Sequence, residues 1–183
     1  MHVEQTEIEG VLKLTPTKAG DERGFFSEVF RRDRLEAFGV TDDWMQDNHA
    51  LSAARGVMRG LHFQRRPFAQ AKLIRVIRGV IFDVAVDIRA GSPTYGRHVG
   101  VELSAANWAQ LYVPAGFAHG YCTLSENTEV AYKVSAPYSK ESEGGLLWDD
   151  PELAIAWPIA AAEAICNDRD RSWPRLQEFT TPF

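Results

Sequence analysis

Apolar and polar positions alternate with a period of two along most of this chain. The clearest stretch is VIFDVAVDI at 80–88. It sets Val80, Phe82, Val84, Val86 and Ile88 on one face and Ile81, Asp83, Ala85 and Asp87 on the other. That period predicts a strand, half-buried in its sheet. KLIRVIR (72–78) precedes it, and Gly79 between the two predicts a tight turn or bulge joining neighbouring strands. HVGVEL (98–103), AQLYVP (109–114) and TEVAYKVS (128–135) alternate likewise, and VLKLTP (11–16) is strand-like. Helical periodicity is scarce. RRDRLEAFG (31–39) predicts one short helix, capped by Asp33 and stopped at Gly39. A second is predicted within 159–165, between proline-rich flanks.

Many short strands separated by Gly and Pro predict an antiparallel sandwich or closed barrel. We read the chain as all-β: a jelly-roll, cupin-like antiparallel barrel with a few short helices, one domain over 1–183. The last stretch carries Pro151, Pro158, Pro174 and Pro182 and is expected to wrap the barrel. At 183 residues the chain fits one domain of the usual size, about 100–200 residues.

A hydrophobic share of 45% and a charged share of 25% exclude disordered and coiled-coil classes. No apolar run approaches the roughly 20 residues that a membrane helix needs. The start, MHVEQTEIEG, has no apolar core and does not read as a signal peptide. The net charge of −5 argues against a broad basic face for nucleic acid. Cys122 and Cys166 lack CxxC spacing and read as reduced thiols of a cytoplasmic protein. Arginine outnumbers lysine, 15 to 5. Arg forks suit phosphate and carboxylate, although a GC-rich genome would give the same bias.

Five histidines narrow the search for chemistry. His2 and His98 are expected at the surface. His62 lies in RGLHFQ (59–64), where a strand would point Leu61 and Phe63 one way and His62 the other. A lone histidine there is by itself more often structural. Its company is unusual: Arg59 precedes it and Lys72 follows ten residues later. His119 lies in VPAGFAHGY (113–121), whose PxGxxH turn resembles the second half of the cupin signature. The first half, HxH with a following glutamate, is absent. Two histidines without that set make no convincing metal site.

GDERGFFSE (20–28), QDNHALS (46–52), GVMRGLHFQ (56–64), QAKLIRVIRGVIFDVAVDIR (70–89), VPAGFAHGY (113–121), AYKVSAPY (131–138) and GGLLWDDPELAIAWP (144–158) follow in order. This ordered set resembles the dTDP-4-dehydrorhamnose 3,5-epimerase family. The resemblance implies the substrate dTDP-4-dehydro-6-deoxy-D-glucose and inversion at C3 and C5. Both carbons flank the C4 ketone, so one carbonyl acidifies both hydrogens. No redox step occurs and no cofactor is implied, which agrees with the lack of a GxGxxG segment.

The resemblance further assigns roles. His62 would be the base. An aspartate in ICNDRD (165–170) would orient it: Asp170 fits best, Asp168 lies close, and either could be only a solvated acidic turn. Tyr132 would be the proton donor; it shares parity with Val130 and Val134, as a core tyrosine also would. Lys72, with Arg59, would stabilise the C4 oxygen. The bland alternatives are a surface strand lysine and a structural ion pair. Arg23, Glu28, Gln46, Asp47, Asn48, Arg59, His119, Glu143 and Arg169 would surround the dTDP-sugar, with Tyr138 stacking on its base. Phe25 and Phe26 are expected as core or pocket wall. The family is a homodimer whose N-terminal strands join the partner's sheet. Within the fold, a mono-epimerase acting at C3 or C5 alone is the nearest rival; a metal-dependent cupin oxygenase or isomerase is the rival of another class.

Overall fold

The computed structural model describes residues 1–183. Thirteen strands form two facing sheets and a small hairpin. The six-stranded sheet takes β1 (His2–Gln5), β2 (Leu12–Thr15), β5 (Gln46–Ser52), β7 (Lys72–Arg78), β10 (Gln110–Val113) and β12 (Thr128–Val134), in the order β1-β2-β10-β7-β12-β5. The five-stranded sheet takes β6 (Met58–Gln64), β8 (Val80–Asp87), β9 (His98–Ser104), β11 (Phe117–Thr123) and β13 (Glu143–Gly145), in the order β13-β6-β11-β8-β9. Strands β3 (Ala19–Asp21) and β4 (Gly24–Phe26) pair only with each other. All named pairings are antiparallel, as a jelly roll requires.

Ile74, Val76, Ile81, Ala85, Leu111, Val113 and Phe117 fill the space between the two sheets. A second apolar layer lies outside the five-stranded sheet. There Leu146, Trp148, Leu153, Ala164 and Leu176 of the C-terminal wrap cover Leu61, Phe63, Val84, Val86 and Ile88. β8 is therefore buried on both faces, not half-buried. Its Phe82–Val84–Val86 face meets the wrap and its Ile81–Ala85 face meets the interior. Outside the six-stranded sheet, Leu35 and Val40 cover Leu12, Leu14 and Tyr112.

Gly79 does not close a hairpin. β7 and β8 lie in different sheets, so Gly79 turns the chain across the barrel edge. Its φ is +84°, and a Cβ there would sit 2.5 Å from Thr128 Oγ1. Only glycine meets both demands. The helix is α1 (Arg32–Glu36), shorter than expected. Asp33 does not cap it; its carboxylate accepts from Arg31, at 2.6 and 2.7 Å. The 159–165 segment holds only a 3-10 turn, Ala161–Glu163, because Pro158 lies just before it and the chain leaves it extended at Ala164 to bridge Ile165 to Val57. Phe25 and Phe26 are exposed on the hairpin, contrary to the core reading. His98 is half-buried at the start of β9. No helix is long and apolar enough to cross a membrane.

Candidate active site

A cavity of about 430 Å³ opens between the sheets. The six-stranded sheet lines it with Gln46, Asn48, Lys72, Ile74 and Tyr132; the five-stranded sheet answers with Arg59, His62, His119, Tyr121 and Glu143. Strand parity explains most of this. Gln46, Asn48 and Ala50 alternate inward along β5, while Asp47 and His49 point out.

β6 departs from parity, to the benefit of the site. His62 pairs with His119 and Arg59 pairs with Tyr121, so three steps on β6 match two on β11. This bulge turns Arg59 and His62 onto the same face. It sits at Gly60, where a Cβ would lie 2.5 Å from Gly120 Cα. Two glycines thus let the strands close under the cavity.

His62 Nε2 lies 2.6 Å from Asp170 Oδ1. Facing a carboxylate, Nε2 carries the proton, which leaves the lone pair on Nδ1. Asp170 is 1% exposed and its other oxygen accepts from Gly60 N at 3.2 Å. Burial pushes its pKa up, but the bond and charge of His62 and the Gly60 N–H outweigh that, and the pKa falls below the usual carboxylate range. Asp168 is exposed. Between the two aspartates of ICNDRD, Asp170 alone reaches His62.

Tyr132 faces the cavity from the opposing sheet, half-buried. Burial raises its phenol pKa while the charge of Arg59 opposes the rise, so it stays protonated at neutral pH. Lys72 Nζ donates to the His62 carbonyl at 3.2 Å. Its side chain keeps some solvent exposure, yet burial of the ammonium lowers its pKa to about 8, against support from Asp83 and Glu143. His119 is buried, with Nε2 2.7 Å from Asp83 Oδ1. Burial lowers its pKa, Asp83 opposes, and the Lys72 and His62 charges add to the lowering. The two histidines thus pair with separate aspartates. No three His, Cys, Asp or Glu side chains form a group that could hold a metal ion.

The mouth of the cavity is held differently. Glu143 Oε2 accepts from Tyr138 Oη at 3.0 Å and from Arg169 Nη1 at 2.7 Å. The loop bearing Tyr138 hangs from glutamine amides. Gln64 donates to Phe68 O and Pro137 O and accepts from Ser139 N. Gln70 donates to Ala136 O, and Gln46 accepts from Tyr138 N.

Three residues expected around the substrate lie elsewhere. Asp47 points outward on β5 and binds Lys133 Nζ at 2.8 Å, because its neighbours Gln46 and Asn48 hold the inward parity. Arg23 projects from the exposed hairpin and pairs with Asp21. Glu28 pairs with Arg34 and Arg31 beyond that hairpin. Conversely, Gln64, Gln70, Tyr121, Asn167 and Asp83 went unremarked as site residues. Parity with His62 points to Gln64, and parity with His119 points to Tyr121.

A histidine–aspartate dyad on one sheet, a protonated tyrosine on the facing sheet and a cation between them define an acid–base enzyme on a cupin-like barrel. The comparisons narrow that class. The sequence model of the dTDP-4-dehydrorhamnose 3,5-epimerase family matches residues 5–178. A dTDP-4-dehydrorhamnose 3,5-epimerase of Sinorhizobium fredii is 50% identical over 183 residues, 100% of this chain and 93% of that one. A Bacillus anthracis dTDP-4-dehydrorhamnose 3,5-epimerase, solved with TDP and PPi bound, superposes with a TM-score of 0.92 at 48% identity, covering 96% of this chain and 99% of that one. A dTDP-6-deoxy-D-glucose-3,5-epimerase of Legionella pneumophila, in complex with dTDP-4-keto-L-rhamnose, gives 0.93 at 42% identity, with 98% and 94% covered. The chain belongs to the dTDP-4-dehydrorhamnose 3,5-epimerase family.

Proposed function

We propose that this protein converts dTDP-4-dehydro-6-deoxy-D-glucose to dTDP-4-dehydro-L-rhamnose by inverting C3 and C5. The observation that carries the reading is the placement of His62 and Tyr132 on facing sheets, with the cavity between them. Inversion needs a proton taken from one face of a carbon and another returned to the opposite face. His62 Nδ1 takes the proton, with Asp170 holding the ring and balancing the imidazolium that forms. Electrons of the C–H bond pass to the C4 oxygen. Lys72, with Arg59 beside it, offsets the enolate charge there. Tyr132 returns a proton from the other sheet. Proton loss and gain cancel, and the same ketone serves the second carbon.

Gln46, Asn48, Arg59, His119, Glu143 and Arg169 hold the dTDP-sugar, and Tyr138 stacks on its base. In a chain of net charge −5, Arg59, Lys72 and Arg169 give the cavity a local attraction for a diphosphate. A second copy of the chain completes the assembly. Exposed Phe26 on the hairpin, exposed Met45 just before β5 and exposed Leu51 on β5, an edge strand, offer apolar surface for it. Arg23 and Glu28 then serve the partner's substrate, which accounts for their distance from this cavity. Work on a nucleotide sugar fits the cytoplasm.

The test is conversion of the purified dTDP-sugar, followed by borohydride reduction and sugar analysis. The reading predicts L-rhamnose among the products. Recovery of D-sugars alone would refute it, and a sugar inverted at a single carbon would mark a mono-epimerase.

A further inference from the structure

We propose that Asp83, a carboxylate on β8, is a positioning residue of this site: it fixes His119 as a hydrogen-bond acceptor and supplies the counter-charge that keeps the Lys72 ammonium in place for the carbonyl oxygen. The inference rests on the epimerase reading and deepens it.

Asp83 has no solvent exposure. It stands between Ile81 and Ala85 on the inward face of β8, where an aliphatic residue would pack without the several kcal/mol that burying a carboxylate costs. Its bonding is incomplete. Oδ1 accepts from His119 Nε2 at 2.7 Å, while Oδ2 has no hydrogen-bond partner. Asp87 makes the contrast. It lies on the same face of the same strand and is equally buried, yet Arg89, Ser92 and Thr94 saturate both its oxygens. Asp87 is a structural carboxylate. Asp83 leaves negative charge facing the barrel interior.

The register shows where that charge acts. Asp83 pairs across β11 with Tyr121; two residues along β11, His119 pairs with His62. With Nε2–H given to Asp83, His119 keeps its lone pair on Nδ1 and can accept a hydroxyl hydrogen of the sugar. Around this centre stand His62 and Arg59 of β6, Lys72 of β7, Tyr121 of β11, Tyr132 of β12 and Glu143 of β13. Asp170 is engaged by His62, and Glu143 by Arg169 and Tyr138. Asp83 is thus the fully buried carboxylate here with an unpartnered oxygen, and its charge is the first support of the buried ammonium, with Glu143 the second.

The test uses Asp83→Asn, which keeps shape and removes charge. In protein labelled with ¹³C at the lysine ε-carbons, Lys72 is one of five resonances and is followed through pH. We expect its midpoint, near 8 in the wild type, to fall by about one pH unit or more in the variant. The alkaline limb of kcat/KM should fall with it, with kcat reduced more than KM is raised. A folded variant with an unmoved Lys72 titration, or an unmoved limb, would overturn the proposal. Should the variant not fold, ¹⁵N spectra of wild-type His119 decide. The proposal requires Nε2 protonated and Nδ1 bare at pH 7; an Nδ1–H tautomer or a charged ring would refute it. Neither spectrum depends on turnover. A wild type inert towards the dTDP-sugar would sink the epimerase reading separately.

Discussion

His62 Nε2 and Asp170 Oδ1 lie 2.6 Å apart, although 108 positions separate the two residues in sequence. The bond depends on the C-terminal wrap, which packs on the outside of the five-stranded sheet and returns Asp170 beneath the β6 bulge. Asp170→Asn would keep the shape and lose the charge that fixes the imidazole. We expect kcat to fall by roughly 10²–10⁴-fold, the usual worth of a positioned general base, with KM changed little. Steady-state kinetics on the dTDP-sugar check this. A drop confined to KM would remove the dyad from the chemistry.

On the proposed mechanism, Lys72 sets the alkaline side of the pH profile. In free enzyme its pKa is about 8, so kcat/KM should decline above that pH. A bound diphosphate sugar adds negative charge, so the limb in kcat should lie higher. Stability runs the other way. The unfolded lysine holds its proton up to about 10.5, while the folded one releases it near 8. Between those values the unfolded state binds more protons, so Lys72 makes stability rise with pH across that window. Below 8 the buried cation costs stability. Lys72→Met should therefore stabilise the fold at pH 7 by about 1–2 kcal/mol, after allowance for its partial solvent access, while lowering kcat by roughly 10²–10³-fold. Denaturant melts at pH 7 and 10 test the sign.

Tyr132→Phe separates the two proton transfers. His62 remains able to remove a proton and return one to the same face. Solvent deuterium should still enter unreacted substrate, while formation of the inverted product falls by about 10²-fold or more. Loss of both in equal measure would show that Tyr132 does something other than deliver the proton.

Gln64→Leu tests the hold on the Tyr138 loop. Gln64 is nearly fully buried and makes bonds to Phe68, Pro137 and Ser139. Losing these three part-buried bonds should cost about 1–3 kcal/mol in stability. KM for the dTDP-sugar should rise more than kcat falls, because the proposed function places Tyr138 at the nucleotide end. The reverse split would place the loop nearer the reacting carbons.

Gly60→Ala tests the bulge. A Cβ at 2.5 Å from Gly120 Cα cannot be accommodated without parting β6 from β11. The variant should lose stability and activity together, read by thermal melting and by turnover.

Period-two alternation made most of the barrel legible: β7, β9, β10 and β12 fall within a residue or two of the runs that predict them. What pairing cannot show in one strand is which sheet that strand joins. Gly79 therefore reads as a tight turn or bulge between neighbouring strands, and β8 as half-buried, because its second cover, the C-terminal wrap, lies some 60–90 residues further on. β5 was hidden for another reason. QDNHALS alternates polar with polar, since its inward face lines a wet cavity instead of a core. At the site, family motifs named the residues that converge around His62, but not the parity that turns Asp47 away. Asp83 was visible from the start as an acid in an apolar row. Only its unpaired Oδ2, beside the saturated Asp87, gives that position meaning.

The most direct measurement is proton NMR of dTDP-4-dehydro-6-deoxy-D-glucose with the purified protein in D₂O. If His62 and Tyr132 work from opposite faces through a shared enolate, deuterium enters at both C3 and C5 as the L-configured product forms. Exchange at one carbon alone would contradict double epimerisation, and no exchange at either would contradict the acid–base account of this site altogether.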